Sequence, residues 1–428
     1  MKKKYKIGFL GLGTVGGGVY KHMTEKYETY TARFAGDYEL SKICVRDLSK
    51  ARAIDIDSSL FTQEPLDIVN DPQIDIVCEL MGGVDLAFDL TMKALANGKI
   101  VVSANKAVIC EYGDKILAQA KKYNTAYFYE SSVAGGIPVI KALREGLVAN
   151  DCSFIYGILN GTCNYILTRM ERENASYLSI LDDARRLGYV EADESLDLDG
   201  WDSAHKISIL SYLANGTWVS TKDMLVSGIR SIMLEDMHWA KEFDYRVKLV
   251  ASARRFENGS IFASVYPALL PLSDSLANVN EAFNAVSITG DVVGRTVYIG
   301  RGAGQDATAS AVIADIADAI SFLEGSKIIN TIESTSQTIA SLDEVVGEFY
   351  MRVEVEDKVG VLSALTSALA KENISVEQFQ QHKHEEEDKA WLVFTTHDST
   401  EGAIARALST IEALPFVYSK PFVLRIFK

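Results

Sequence analysis

The stretch Lys6-Ile7-Gly8-Phe9-Leu10, followed at once by Gly11-Leu12-Gly13-Thr14-Val15-Gly16 and an apolar helical pattern, constrains the fold more than any other part of the chain. It reads as strand, glycine turn, helix. The backbone amides of such a turn, and the N-terminus of the helix that it opens, offer donors and a positive dipole end to a pyrophosphate; glycine lets the phosphate approach closely. G-x-G-x-x-G alone is a weak signal. Placed directly after a strand, within the first 20 residues, it predicts dinucleotide binding, with a merely tight turn as the alternative. The lysines before the apolar run imitate a secretory leader, but no convincing cleavage site follows.

Through residue 130 the strand candidates KIGFL, LSKICV, IDIVCEL, IVVSA and AYFYE alternate with helical segments such as VDLAFDLTMKALANGK. That rhythm is α/β, a doubly wound parallel sheet of the Rossmann kind. The second strand ends at Arg46, with Asp47 next. A guanidinium suits the 2′-phosphate of NADP, which is therefore preferred; Asp47 keeps NAD open, and Arg46 on a solvated loop is the bland alternative.

At 428 residues the chain is too long for one core. Residues 135–305 mix longer helices with runs such as SIFASVYPALL and RTVYIG, which predicts a second α+β domain, its open sheet covered by helices. TASAVIADIADAISFL is assigned, over about residues 306–330, as a helix returning to the first domain of residues 1–130, although the pattern does not itself show where it packs. Residues 349–428 run strand, helix, strand, strand, helix, strand. This ferredoxin-like βαββαβ order resembles an ACT domain, a module that often binds amino acids at a subunit interface. Its turn Asp357-Lys358-Val359-Gly360 stands where that family has its ligand loop, with valine where proline is common.

A net charge of −15 argues against a nucleic-acid partner, since phosphate neutralisation needs clustered Lys and Arg. No apolar run is long enough to span a bilayer. Five scattered cysteines without C-x-x-C pairs fit reduced thiols in a cytoplasm and leave zinc without ligands. A small-molecule substrate is the simplest expectation.

Ser103-Ala104-Asn105-Lys106 ends the fourth strand, where ligands sit in doubly wound sheets, so Lys106 is directed to the nicotinamide and substrate region or, more blandly, to solvent. Glu130-Ser131-Ser132-Val133-Ala134-Gly135-Gly136-Ile137-Pro138 leaves the fifth strand and suggests either a hard-cation site or an interdomain hinge, the hinge being preferred on spacing alone. Asn160-Gly161-Thr162-Cys163-Asn164 precedes a helix that Thr162 or Asn164 caps; Cys163 has no histidine near it in sequence and is not assigned as a nucleophile. His382 and His384 are placed at a polar hairpin tip without a role. In EADESLDLDGWDSAHK, residues 191–206, Asp199 is expected to cap a helix on which Asp202 and Lys206 share a face, an ordinary surface ion pair by default. Against that default, Glu191, Asp197 and Asp202 repel one another unless a cation sits among them; a substrate ammonium would serve.

These segments together, GLGTVG, SANK, ESSVAGGIP, NGTCN, LGYVEAD, DGWDSAHK, GRGAG with TASAVIAD and the βαββαβ tail, resemble homoserine dehydrogenase in order and over nearly the whole chain. The resemblance implies reduction of L-aspartate 4-semialdehyde to L-homoserine with NADPH or NADH, on the route to threonine, methionine and isoleucine. It implies that Lys206 exchanges the proton, Asp202 orients Lys206 or the substrate, Glu191 binds the substrate ammonium, and Lys106 is a second active-site lysine. Asp197 stays open between substrate contact and structural support, and Asp193 and Glu194 are read as solvated. Gly188 and Gly304 fall at cofactor positions, and Glu130 with the backbone of Val133, Gly135 and Ile137 matches a sodium site. Threonine feedback through the tail and a homodimer or homotetramer are expected on the same ground. Trp201, Glu194 and Arg301 depart from the family's usual residues, in ways that bear on loop shape. The rivals are another amino-acid dehydrogenase on the same cofactor fold, or a ligand sensor without chemistry.

Overall fold

The first strand, β1 (Lys4–Leu10), buries Tyr5, Ile7, Phe9 and Leu10. On one side it pairs with β2 (Asp37–Cys44), which carries the short β3 (Phe61–Thr62); on the other lies β4 (Ile76–Glu79), followed by β5 (Ile100–Ser103) and β6 (Tyr127–Phe128). All these pairs are parallel, in the order β3-β2-β1-β4-β5-β6. Crossovers run through α1 (Thr14–Glu25), α2 (Asp85–Ala96) and α3 (Lys106–Lys122). Helix α2 stops at Asn97-Gly98, Gly98 taking φ +75°. This computed structural model describes residues 2–50, 52, 54–186, 194–327, 332, 334–383 and 388–427.

The remaining elements follow in chain order: β7 (Cys152–Ile158), α4 (Gly161–Glu173), α5 (Tyr177–Arg186), α6 (Trp201–Asn215), β8 (Leu225–Val226), α7 (Leu234–Glu242), β9 (Tyr245–Arg255), β10 (Ile261–Pro271), β11 (Phe283–Gly290), β12 (Gly294–Arg301) and α8 (Gln305–Leu323). The chain forms two compact units, residues 1–161, 202–222 and 282–336 in the first, and 162–201, 223–281 and 337–428 in the second. In the first unit, α8 packs into the parallel sheet's core: Ala309, Val312, Ile316 and Ile320 are buried with Phe9, Val19, Met23 and Phe128. The helix is thus part of the body built on the parallel sheet. Strands β7, β11 and β12 of the same unit form an antiparallel run.

In the second unit the tail supplies β13 (Val346–Glu356), α9 (Val361–Lys371), β14 (Val376–Lys383), β15 (Lys389–Thr396), β16 (Ser399–Thr400), α10 (Glu401–Glu412) and β17 (Phe422–Ile426). The sheet order β17-β13-β15-β14, all antiparallel, is that of the ferredoxin-like module; α9 and α10 cover one face through Val361, Leu365, Leu369, Ile404, Ala407 and Ile411. The tail does not stand alone, because β17 also pairs in parallel with β10. Among the described residues no helix is long and apolar enough to cross a membrane, and the five cysteines form no disulfide.

Ile316, fully buried between α8 and the sheet, tests this packing. Ile316→Ala is expected to cost about 2–5 kcal/mol of stability, measured as a lower urea midpoint; an unchanged midpoint would mean that α8 is not part of that core.

Candidate active site

Asn105 ends the turn after β5 and caps α3 by accepting from Val108 N, which puts Lys106 in the first turn of that helix. On α6, Asp202 and Lys206 lie one turn apart. The three meet: Lys106 Nζ is 2.8 Å from Asp202 Oδ1, and Lys206 Nζ donates to Asp202 Oδ2 at 2.7 Å. The side chains of Asp202 and Lys206 are only 5% and 10% exposed, so the surface ion pair that the i, i+4 spacing suggests is instead a buried pair, joined by the part-exposed Lys106. Burial alone would push the Asp202 carboxyl up; the Lys206 and Lys106 ammonium groups outweigh it and hold that carboxyl well below the usual carboxylate range.

Two further donors and acceptors complete the cluster. Lys206 Nζ also donates to Leu159 O at 2.7 Å, so a single N–H of its three is left to point elsewhere. Asn160 Nδ2 donates to Asp202 Oδ2 at 2.9 Å, and Asn284 Nδ2 to Leu159 O at 2.9 Å. Beside them, burial first and the Lys106 charge second push the His205 imidazole below its usual value, keeping it neutral near pH 7. Below the lysine turn, Glu79 at the end of β4 is fully buried and accepts from Ser103 Oγ and Met81 N, while Ser103 Oγ accepts from Asn105 N. Neither Glu79 nor Asn160 is assigned a role from sequence. Glu79 hides inside the strand pattern IDIVCEL, where a charged residue at a strand's carboxyl end is the one available signal.

The glycine turn has the shape its spacing implies. Gly11 takes φ +105°, and a Cβ on it would lie 2.6 Å from Leu80 O; a Cβ on Gly16 would lie 2.7 Å from Gly11 O. Around Gly13 there is open space, and no side chain caps α1 there. Thr14 is exposed, Leu12 and Val15 partly buried. An uncapped helix N-terminus beside an empty glycine is a fit for a pyrophosphate. Gly304 begins α8 in the same manner, at φ +111° and without a side-chain cap, and its neighbour Gln305 lies against Gly18 of α1. Arg46 is exposed two residues beyond β2; the Asp47 carboxylate is turned onto Ser49, accepting from its N and Oγ. Gly188, Glu191 and Asp193 lie outside the described residues.

Glu130, Val133, Gly135 and Ile137 share one buried turn after β6, in which Ala134 and Gly135 take positive φ. Both Glu130 carboxylate oxygens accept main-chain donors, Ile140 N at 2.9 Å and Lys141 N at 2.8 Å, and Glu130 N donates to the buried Asp315. Burial pushes both the Glu130 and the Asp315 carboxyls up.

Several local expectations are corrected. Helix α4 begins at Gly161, so Asn164 lies inside it rather than capping it, buried, donating to Val279 O and accepting from the buried Lys248. Cys163 donates to Asp197 O. Asp199 does not stand free as a cap; it pairs with Arg230 at 2.6 Å, and Glu194, read as solvated, lies between Arg185 and Arg230. His382 is in β14, stacked on Trp239, rather than at a hairpin tip; His384 lies outside the described residues.

Residues 11–130 match the family model described as homoserine dehydrogenase, NAD binding domain; residues 138–317 match homoserine dehydrogenase, and residues 349–416 the ACT domain. The chain is 40% identical to a homoserine dehydrogenase of Neisseria gonorrhoeae, over 99% of this chain and 98% of that one, and 38% identical to one of Helicobacter pylori over the full length of both. The crystal structure of a homoserine dehydrogenase from Thiobacillus denitrificans superposes with a TM-score of 0.91 at 38% identity, over 99% of this chain and 98% of that one. A hyperthermophilic archaeal homoserine dehydrogenase in complex with NADPH matches at a TM-score of 0.63 and 27% identity, over 75% of this chain and 98% of that one.

Because its folded-state value lies below the unfolded one of about 3.9, Asp202 stabilises the fold fully above that pH and loses the contribution as pH falls through the folded value. Asp202→Asn is expected to cost about 3 kcal/mol or more at neutral pH, since two ammonium groups lose their counter-charge. In urea unfolding the deficit should be equal at about pH 7 and 5 and shrink below about pH 4; a deficit that stays constant into acid would contradict this linkage.

Proposed function

The chain belongs to the homoserine dehydrogenase family of NAD(P)-dependent oxidoreductases, and we propose that it reduces L-aspartate 4-semialdehyde to L-homoserine, reversibly, in the biosynthesis of threonine, methionine and isoleucine. The observation that carries this reading is the Lys106–Asp202–Lys206 triad at the carboxyl end of β5, with Asp202 and Lys206 buried. When bound, the nicotinamide supplies the hydride. Lys206 donates its proton to the aldehyde oxygen as that oxygen gains charge. Asp202, with Leu159 O, takes up two of the three Lys206 donors, which aims the third. Lys106 adds a second positive charge to the same carboxylate. Glu191 and Asp197 are assigned to the substrate ammonium.

Gly11–Gly16, with Gly188 and Gly304, are assigned to the cofactor. NADPH is preferred over NADH because Arg46 is exposed beyond β2 while the Asp47 carboxylate is occupied by Ser49. A sodium ion is assigned to the main chain of the turn at Glu130, Val133, Gly135 and Ile137. L-Threonine is assigned as the effector of the ACT module, at a turn where Gly360 takes φ +96° and opens α9. A homodimer or homotetramer in the cytoplasm completes the reading.

One assay tests it: NADPH oxidation with L-aspartate 4-semialdehyde, repeated with NADH and with L-threonine added. Turnover faster with NADPH and slowed by threonine is expected; no turnover with either cofactor would sink the reading. Lys206→Ala is expected to lose about 10²- to 10⁴-fold in kcat while NADPH still binds with unchanged Kd. A near-normal kcat would remove Lys206 from proton transfer.

A further inference from the structure

Residues 227–236 of the second unit touch two things at once. On one side lies the acidic segment 194–199. Ile229 N donates to Leu198 O at 2.9 Å, Gly228 sits so close to Leu198 O that no side chain would fit, and Ser227 N is held by Val265 O at 2.7 Å. Arg230 then spans the segment's two ends: Nε donates to Asp199 Oδ1 at 2.6 Å and Nη1 to Glu194 Oε1 at 2.9 Å. Arg185, from α5, secures Glu194 a second time at 2.8 Å. The carboxylates so gripped flank Asp197.

On the other side lies the βαββαβ module. Arg352 of β13 donates from Nη2 to Ser231 O at 3.2 Å and touches Met233 Sδ. Asp236, fully buried, accepts from Tyr350 OH at 2.8 Å through Oδ1 and from Met233 N at 2.8 Å through Oδ2. Arg352 Nε lies 2.9 Å from the same Oδ1 but off line for a hydrogen bond, a contact of charges, and its guanidinium is also packed over Trp391 and Phe422. One helical turn on, Trp239 stacks on His382 of β14 at 4.4 Å between centroids.

A buried charge pair of this kind resists separation, because either partner left alone in the interior is costly. The module's first strand and the stretch 231–236 therefore move as one body. The Arg230 contacts are different: its side chain is 40% exposed, and exposed ion pairs add little to global stability. Their effect is on where the acidic segment sits, since three carboxylates within six residues repel unless a cation holds them.

From these contacts we infer that residues 227–236 are a strap that sets the position of the acidic segment 194–199 and joins it to the C-terminal module, with Arg230 as the positioning residue for substrate binding. The inference rests on the assignment of Asp197 to the substrate ammonium. It gives the module a continuous chain of contacts to the segment that carries Asp197: β13, Arg352 and Asp236, Ser231, Arg230, then Glu194 and Asp199.

The test is steady-state kinetics of the full chain. Arg230→Ala is expected to raise KM for L-aspartate 4-semialdehyde by about fivefold or more, with kcat and the KM for NADPH changed by less than about twofold. Arg230→Lys, which restores the charge without the fork, should recover at least half of the loss. Tyr350→Phe removes one hydrogen bond from Asp236 at the module end, leaves Arg352 to neutralise the carboxylate, and should raise the same KM, less than additively with Arg230→Ala. An unchanged substrate KM in Arg230→Ala, or an equal loss in kcat and in affinity for NADPH, overturns the positioning role. A Tyr350→Phe enzyme with wild-type KM overturns the link to the module. Absent turnover in the unsubstituted enzyme would instead condemn the proposed reaction.

Discussion

Asp202 is a carboxylate with almost no access to water, and it stays charged because two ammonium groups reach it from different helices. Everything around the site serves that pairing. Lys206 comes from the same face of α6, one turn away, so its approach is guaranteed by helix geometry. Lys106 comes from the end of the parallel sheet, and its approach depends on α6 lying across that end. Removing Asp202 leaves the buried Lys206 ammonium without its counter-charge, so the pair is held to one arrangement more strictly than apolar contacts alone would hold it.

The supporting layer shows how main-chain and neutral groups tune this arrangement. At the end of β7, Leu159 O accepts from Lys206 and Asn160 Nδ2 donates to Asp202, and one Lys206 N–H stays uncommitted. Glu79 fixes the turn that carries Lys106 by accepting from Ser103 and Met81, although burial pushes its carboxyl up against those hydrogen bonds. A buried carboxyl that organises a loop and a buried carboxylate that holds two lysines thus lie at the ends of neighbouring strands and helices of one unit.

The second unit is built on a comparable principle with a different purpose. Asp236 and Arg352 form a desolvated ion pair in it, and Arg425 of β17 with Glu401 of α10 a second, largely buried one. Both pairs involve strands of the βαββαβ tail, and β17 pairs with β10 as well as with β13. The tail is therefore continuous with the body of its unit through backbone hydrogen bonds and buried charge, where the sequence pattern by itself suggests an appended module.

Local patterns carried much of this protein. The strand, glycine turn and helix at residues 4–25 follow from period-2 burial, from glycine's tolerance of positive φ at Gly11, and from the close approach at Gly16. The βαββαβ tail is legible for the same reason: each strand and helix announces its own period. Asp202 and Lys206 share a face because four residues make about one helical turn. What only the tertiary structure decided is which of these charges leave water. Helical spacing is identical for an exposed ion pair and a buried one, and Lys106, which completes the cluster, lies 96 residues before Asp202 in the chain. Glu194, Asp199 and His382 were misjudged for the same reason, since their partners Arg230 and Trp239 are distant in sequence. Secondary structure is a property of neighbours along the chain. Burial and the pairing of charge are properties of neighbours in space, and the sequence alone does not state them.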